Sequence, residues 1–298
     1  MIQSRRPFRT LLFCLLAAGV ASAAGTSSAA QPSQQKPSQR TPQVRSEAVL
    51  VLDRASDSVI YSRHAADAAP IASITKLMTA LVVLDGGQSL DDEIQITAAD
   101  RSATRNVASR LAVGARLTRR ELLRLALMSS ENRAAQALCR NYTGGEDACL
   151  AAMNAKARTL GMTQSHFEDP TGLSPHNVAS PNDLARLVMA ANHSELIREF
   201  STTPAYEARV GRHTIEFHNT DPLVHDPAWQ VSVQKTGHIA AAGECLVMQA
   251  LIDGRDVVIV LLNSFGKYTR VADARRIRKW LAAVELAALH GAANTDES

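Results

Sequence analysis

A serine hydroxyl is a poor nucleophile until something takes its proton, and three short stretches of this chain carry groups suited to that task. Ser73 is followed three residues later by Lys76. Ser130-Glu131-Asn132 sets a second hydroxyl beside a carboxamide, and Lys235-Thr236-Gly237 sets a cation, a hydroxyl and a bare α-carbon in succession. Residues three apart on a helix share a face, so the Lys76 amine can sit against the Ser73 hydroxyl and activate it. The chemistry implied is nucleophilic acyl transfer. Lys76 must be neutral to accept a proton, whereas a free lysine has a pKa of about 10.4. Burial and a neighbouring cation both lower it, and Lys235 is the candidate cation.

Each motif alone is a weak signal. Ser33 with Lys36 and Ser264 with Lys267 repeat the first spacing, and Ser180-Pro181-Asn182 repeats the second in a stretch that reads as a helix start. Setting separates them. Ser73 opens an apolar run after Pro70 that ends at Gly86-Gly87, so it lies at the positive end of a helix dipole. Ser130 to Asn132 occupies a turn between two helical patterns, and the Lys235 triplet closes a strand pattern.

The elements that must position these groups follow a simple order. Ala48 to Asp53 and Val59 to Ser62 read as a hairpin ahead of the Ser73 helix. Residues 85–117 are mixed. Thr118 and Glu121 form a capping box for the next helix, an alanine-rich helix runs from Arg133 to Cys139, and another from Glu146 stops at Gly161. Ser180-Pro181 opens a further helix. Three strand patterns follow at residues 229–234, 244–251 and 257–262, the last after an Asp253-Gly254 turn. An amphipathic helix over residues 268–289 closes the chain, its apolar positions including Val271, Ile277, Trp280 and Leu281. Strands at both ends with helices between predict an α+β fold, an antiparallel sheet from N- and C-terminal strands flanked by helices.

The first 23 residues carry Arg5, Arg6 and Arg9, an apolar run over 11–20 and a small-residue site at Ala21-Ser22-Ala23, the pattern of a secretory signal peptide. Residues 24–46 are Ser-, Gln- and Pro-rich and read as a disordered tether, residues 47–289 as one domain, and 290–298 as a flexible tail. The expected address is the periplasm, with no transmembrane anchor after signal removal. Of the 32 basic residues three arginines lie in the signal, leaving 29 against 29 acidic. A neutral mature chain gives no support to nucleic-acid binding, which needs a basic face. The histidines lack metal-ligand spacing, so no metal or cofactor is expected. Cys139 and Cys149 bracket a stretch that reads as a connection between helices; a disulfide and two buried thiols both fit.

With the three motifs in order, the sequence resembles the low-molecular-mass penicillin-binding proteins of the D,D-peptidase family, and within it the D-alanyl-D-alanine endopeptidase branch. Residues 70–80, 127–135 and 265–269 carry the likeness, which spans about Ala48 to Trp280. The resemblance implies a β-lactamase/transpeptidase-like fold with a helical subdomain. It implies catalysis by Ser73, Lys76 and Ser130, with Ser130 relaying a proton between the two amines. Asn132, Lys235, Thr236 and Gly237 would bind substrate, Gly237 by letting it lie close along the strand. The backbone amides of Ser73 and His238 would form the oxyanion hole. The implied partners are peptidoglycan peptide cross-bridges and acylating β-lactams. A D-alanyl-D-alanine carboxypeptidase is the first alternative, although no C-terminal β-rich domain is seen; a non-catalytic penicillin-sensing or wall-binding module is the second. The region around Glu168 and Asp169 lacks the Glu-x-x-Leu-Asn of class A β-lactamases, so bound penicillin should be lost slowly. The cysteine pair has no counterpart in the resemblance.

Overall fold

Strands covered on both faces are apolar at nearly every position, and that is the pattern of the long runs near both ends of this chain. The computed structural model describes residues 41–105 and 107–293, with side chains to residue 284. In order it has β1 (Ala48–Asp53), β2 (Ser58–Arg63), β3 (Ala69–Pro70), α1 (Thr75–Asp85), β4 (Glu93–Gln95), α2 (Ala98–Ala103), β5 (Arg116–Thr118), α3 (Arg119–Met128), α4 (Asn132–Arg140) and α5 (Gly145–Thr159). There follow β6 (Val178–Ala179), α6 (Pro181–Asn192), α7 (Glu195–Thr202), β7 (Ala205–Val210), β8 (His213–His218), β9 (Gln230–Ile239), β10 (Gly243–Ile252), β11 (Arg255–Ser264) and α8 (Thr269–Ala293).

The main sheet runs β2-β1-β11-β10-β9 with antiparallel neighbours. Alternate residues feed two cores. Val49, Val51, Leu246, Met248, Ile259 and Leu261 pack with Val271, Ala274, Ile277 and Leu281 of α8. Leu50, Val247, Val258 and Val260 pack with Leu184, Leu187 and Val188 of α6 on the other face. Each Val, Leu, Ile or Met among them contributes about 1.5–3 kcal/mol when fully buried. Beyond α6, helix α1 is buried along its length from Thr75 to Val83. Its apolar residues on every side therefore find partners among the other helices.

The signal peptide and the tether through residue 40 lie outside the described residues. The last part of the expected tether belongs instead to the folded body. Val44 and Ser46 are buried, and Asp273 of α8 accepts from the amides of Arg45 and Ser46 at 2.9 and 2.7 Å. The closing helix likewise continues past 289 to Ala293, so the tail begins later than expected. In the mixed segment Thr97 and Asp100 form a second capping box. Buried Asp100 also takes a two-pronged contact from Arg140 at 2.7 and 2.9 Å, tying α2 to α4. Cys139 and Cys149 are bonded, joining α4 to α5; closing so short a loop stabilises by about 2–3 kcal/mol. No helix of the described residues is long and apolar enough to cross a membrane.

Candidate active site

Ser73 stands in a single 3-10 turn, Ala72–Ile74, immediately before α1. Ala72 has φ +48, a strained value for a residue with a side chain. Two features hold the turn there. The Thr75 hydroxyl donates to the Ala72 carbonyl at 2.8 Å. Buried Asn177 donates to the Thr75 hydroxyl, and its backbone carbonyl accepts from the Ile71 amide.

The Lys76 amine is fully buried and has three partners: Ser73 Oγ at 2.9 Å, Asn132 Oδ1 at 2.7 Å and the Thr171 carbonyl at 2.7 Å. As an ammonium it would donate to all three. As a neutral amine it keeps N–H donors for two acceptors that cannot donate, and turns its lone pair to the one partner that can, the Ser73 hydroxyl. Burial lowers its pKa from 10.5 to about 7, against the opposing pull of Asp169 and Glu131. Of the two expected causes, burial and the Lys235 cation, burial is the one that lowers it.

Asn132 is the first residue of α4, and Glu131 caps that helix by accepting from the Arg133 amide. Ser130, at φ +58, turns the chain between α3 and α4. Ser130 borders a cleft of about 440 Å³ with Asn132, Arg110 and Phe217. Its hydroxyl is hydrogen-bonded to neither amine, so the expected relay between them is not formed in the free protein.

Lys235, Thr236 and Gly237 lie near the end of β9, the edge strand of the sheet, and all three are buried. Lys235 Nζ donates to the Thr236 carbonyl at 2.9 Å. Burial pushes its pKa well down, Lys76 and Arg270 add to that, and Asp221 opposes. Gly237 differs from expectation in what its bare α-carbon faces. A side chain there would meet Ile71 O at 2.9 Å and Ala72 Cβ at 3.0 Å, so glycine is what lets β9 approach the Ser73 turn. The His238 side chain is exposed and turned toward the β9–β10 connection, where Nδ1 lies 3.2 Å from the Gly243 carbonyl.

Several supporting residues left no trace in the motifs. Asp169 accepts from the amides of Thr171, Gly172 and Ser174, shaping the loop whose carbonyl reaches Lys76. Thr79 of α1 donates to the Pro170 carbonyl at 2.7 Å and fixes that loop along the helix. The Thr220 hydroxyl is 2.6 Å from that of Thr236, and its amide donates to Met128 at the end of α3. Arg270 donates to the Gly237 carbonyl at 2.8 Å. The Asp-Pro-Thr-Gly run signals a turn, but its place against Lys76 is a tertiary fact.

A partly buried serine just ahead of a central helix, paired with a buried lysine in that helix's first turn and walled by an edge strand, defines a serine acyl-transfer enzyme. The chain belongs to the serine peptidase family described as D-alanyl-D-alanine carboxypeptidase, whose profile matches residues 33–266. It is 46% identical over 250 residues to a D-alanyl-D-alanine endopeptidase of Pseudomonas aeruginosa, covering 83% of this chain and 81% of that one. It is 43% identical to the Escherichia coli D-alanyl-D-alanine endopeptidase, over 80% of this chain and 77% of that one. Among solved structures it is similar to a Streptomyces DD-transpeptidase, with a TM-score of 0.76 and 26% identity, covering 82% of this chain and 99% of that one. The α+β penicillin-binding fold and serine peptidase activity follow from that membership.

Proposed function

We propose that this peptidase acts in the periplasm as an endopeptidase, cutting D-alanyl–diaminopimelate cross-links of peptidoglycan through a Ser73 acyl-enzyme that β-lactams trap. The observation that carries the mechanism is the Lys76 amine, held by two acceptors with its third position against Ser73 Oγ at 2.9 Å. Ser73 Oγ attacks the D-alanyl carbonyl as its proton passes to Lys76. The backbone amides of Ser73 and His238 stabilise the oxyanion, a type of contact that usually supplies a large share of catalysis. The C–N bond then breaks and the departing amine receives a proton through the Ser130 hydroxyl. Water releases the acyl group in the second half-reaction. Lys235 and Thr236 take the carboxylate beside the leaving amine, and that anion favours the protonated form of Lys235. A class A type deacylating carboxylate is not assigned, so the penicillin adduct should persist.

The endopeptidase choice rests on the relatives. Relatives with this name from Pseudomonas aeruginosa, Escherichia coli and Haemophilus influenzae are 46%, 43% and 34% identical, whereas a carboxypeptidase of Salmonella typhimurium is 32% identical. Digesting cross-linked dimers and pentapeptide monomers side by side tests it. Cleavage of dimers is expected; cleavage of monomers alone would make the protein a carboxypeptidase.

The base requires its own pH signature. Lys76 reacts when neutral and its pKa is about 7. The rate of acylation by a penicillin should rise about tenfold per pH unit below that value and level above it. Stopped-flow acylation across pH 5 to 9 (roughly) checks this, and a rate that falls as pH rises through 7 would exclude Lys76 as the base.

A further inference from the structure

Arg110 borders two cavities. One is the cleft walled by Ser130 and Asn132. The other, about 940 Å³, lies between β5 and the β7–β8 hairpin and carries Arg116, Arg209 and Arg212 as well. Arg110 is held at the junction, stacked 4.8 Å from the centre of the Phe217 ring and donating to the Glu216 carbonyl. The carboxylates on the larger cavity are Glu93 and Glu121. Glu121 is committed elsewhere: one oxygen caps α3 at Thr118 and the other accepts from the Tyr206 hydroxyl. The arginines are exposed, and none of the four is ion-paired among the described residues, although other arginines of the chain are. Arg116 reaches only the Gln95 side-chain oxygen, at 3.3 Å. Four guanidiniums without an ion-pair partner, around a cavity that shares Arg110 with the Ser130 cleft, form a site for a substrate with several carboxylates.

We propose that this cavity is the subsite for the second stem peptide of a cross-link, the acidic chain attached to the departing amine. The inference rests on the endopeptidase reading. In that reading Ser130 stands beside the departing amine, so a cleft that starts at Ser130 opens on the leaving-group side. A cross-linked dimer continues there into a peptide bearing the carboxylates of D-glutamate and its terminal residue. A pentapeptide monomer ends after one D-alanine, and a penicillin is smaller still. The arginine cavity thus selects cross-links over monomers by charge as well as by length.

The test is the double variant Arg209→Glu, Arg212→Glu, changed on the exposed turn of the β7–β8 hairpin. Its kcat/KM for cross-linked dimers should fall about tenfold, chiefly through KM, and should lose most of its dependence on salt. Acylation by a fluorescent penicillin and cleavage of pentapeptide monomer should stay within about twofold of the unaltered protein. Unchanged dimer cleavage overturns the proposal, and so does an equal loss on all three ligands. Affinity of Ser73→Ala protein for intact dimer, with and without the two charge reversals, reads the cavity apart from turnover. Equal affinities there overturn the subsite. An unaltered protein that takes penicillin yet leaves dimers intact overturns the endopeptidase reading instead.

Discussion

Lys76→Met is expected to slow acylation of Ser73 about a thousandfold while leaving a folded protein. Methionine fills the stem of the lysine but brings no group that accepts a proton. The Ser73 hydroxyl then keeps its proton and its ordinary weak nucleophilicity. Two acceptors, Asn132 Oδ1 and the Thr171 carbonyl, lose the donor at 2.7 Å that each now has, at about 1–3 kcal/mol apiece. Relief from burying an amine offsets part of that cost. A thermal melt should therefore shift by a few degrees only, while penicillin labelling followed in time falls by orders of magnitude. Acylation within tenfold of the original would mean that another group takes the proton.

Gly172→Ala should damage both activity and stability, through a contact the reacting groups do not share. Gly172 has φ +82, and a Cβ there would lie 1.9 Å from the Ala72 carbonyl oxygen and 2.8 Å from the Ser73 amide nitrogen. Both neighbours are backbone, so no side chain can swing aside. Either the 169–172 loop moves, taking the Thr171 carbonyl from Lys76, or the Ser73 turn moves, and a shift of about 1 Å costs on the order of a hundredfold in rate. Strain at that φ adds about 1–3 kcal/mol, and with the backbone overlap the melting temperature should drop by about 5–10 °C. Penicillin labelling and calorimetry on one preparation check both halves. Normal labelling in a protein of normal stability would show that the loop does not fix the nucleophile.

What the sequence disclosed, it disclosed through side chains whose type is dictated by local chemistry. Ser73 and Lys76 meet at the three-residue spacing read from the chain, although Ser73 stands in a 3-10 turn just before the helix, and Thr118 and Ser180 cap the helices expected of them. The Cys139–Cys149 bond was one of two open readings, and proximity at a helix connection decided it. Backbone groups and strained turns stayed hidden. The Thr171 carbonyl is an acceptor any residue would supply; only the packing of Pro170 on Thr79 brings it to Lys76. The β7–β8 hairpin is mostly exposed, with Ala208 and Phe217 buried, and so leaves little hydrophobic pattern to read. Ser46 looks like tether by composition, yet its hydroxyl lies 2.7 Å from Asp273, more than two hundred residues away. Gly237 looked like room for a substrate and turned out to face Ile71 and Ala72.

The central claim is that Ser73 is the nucleophile, and intact-mass and peptide mass spectrometry after penicillin treatment tests it most directly. The unaltered protein should gain one penicilloyl group, located on the peptide containing Ser73, and Ser73→Ala should gain none. An undiminished adduct in Ser73→Ala, or no adduct on the unaltered protein, would contradict the account.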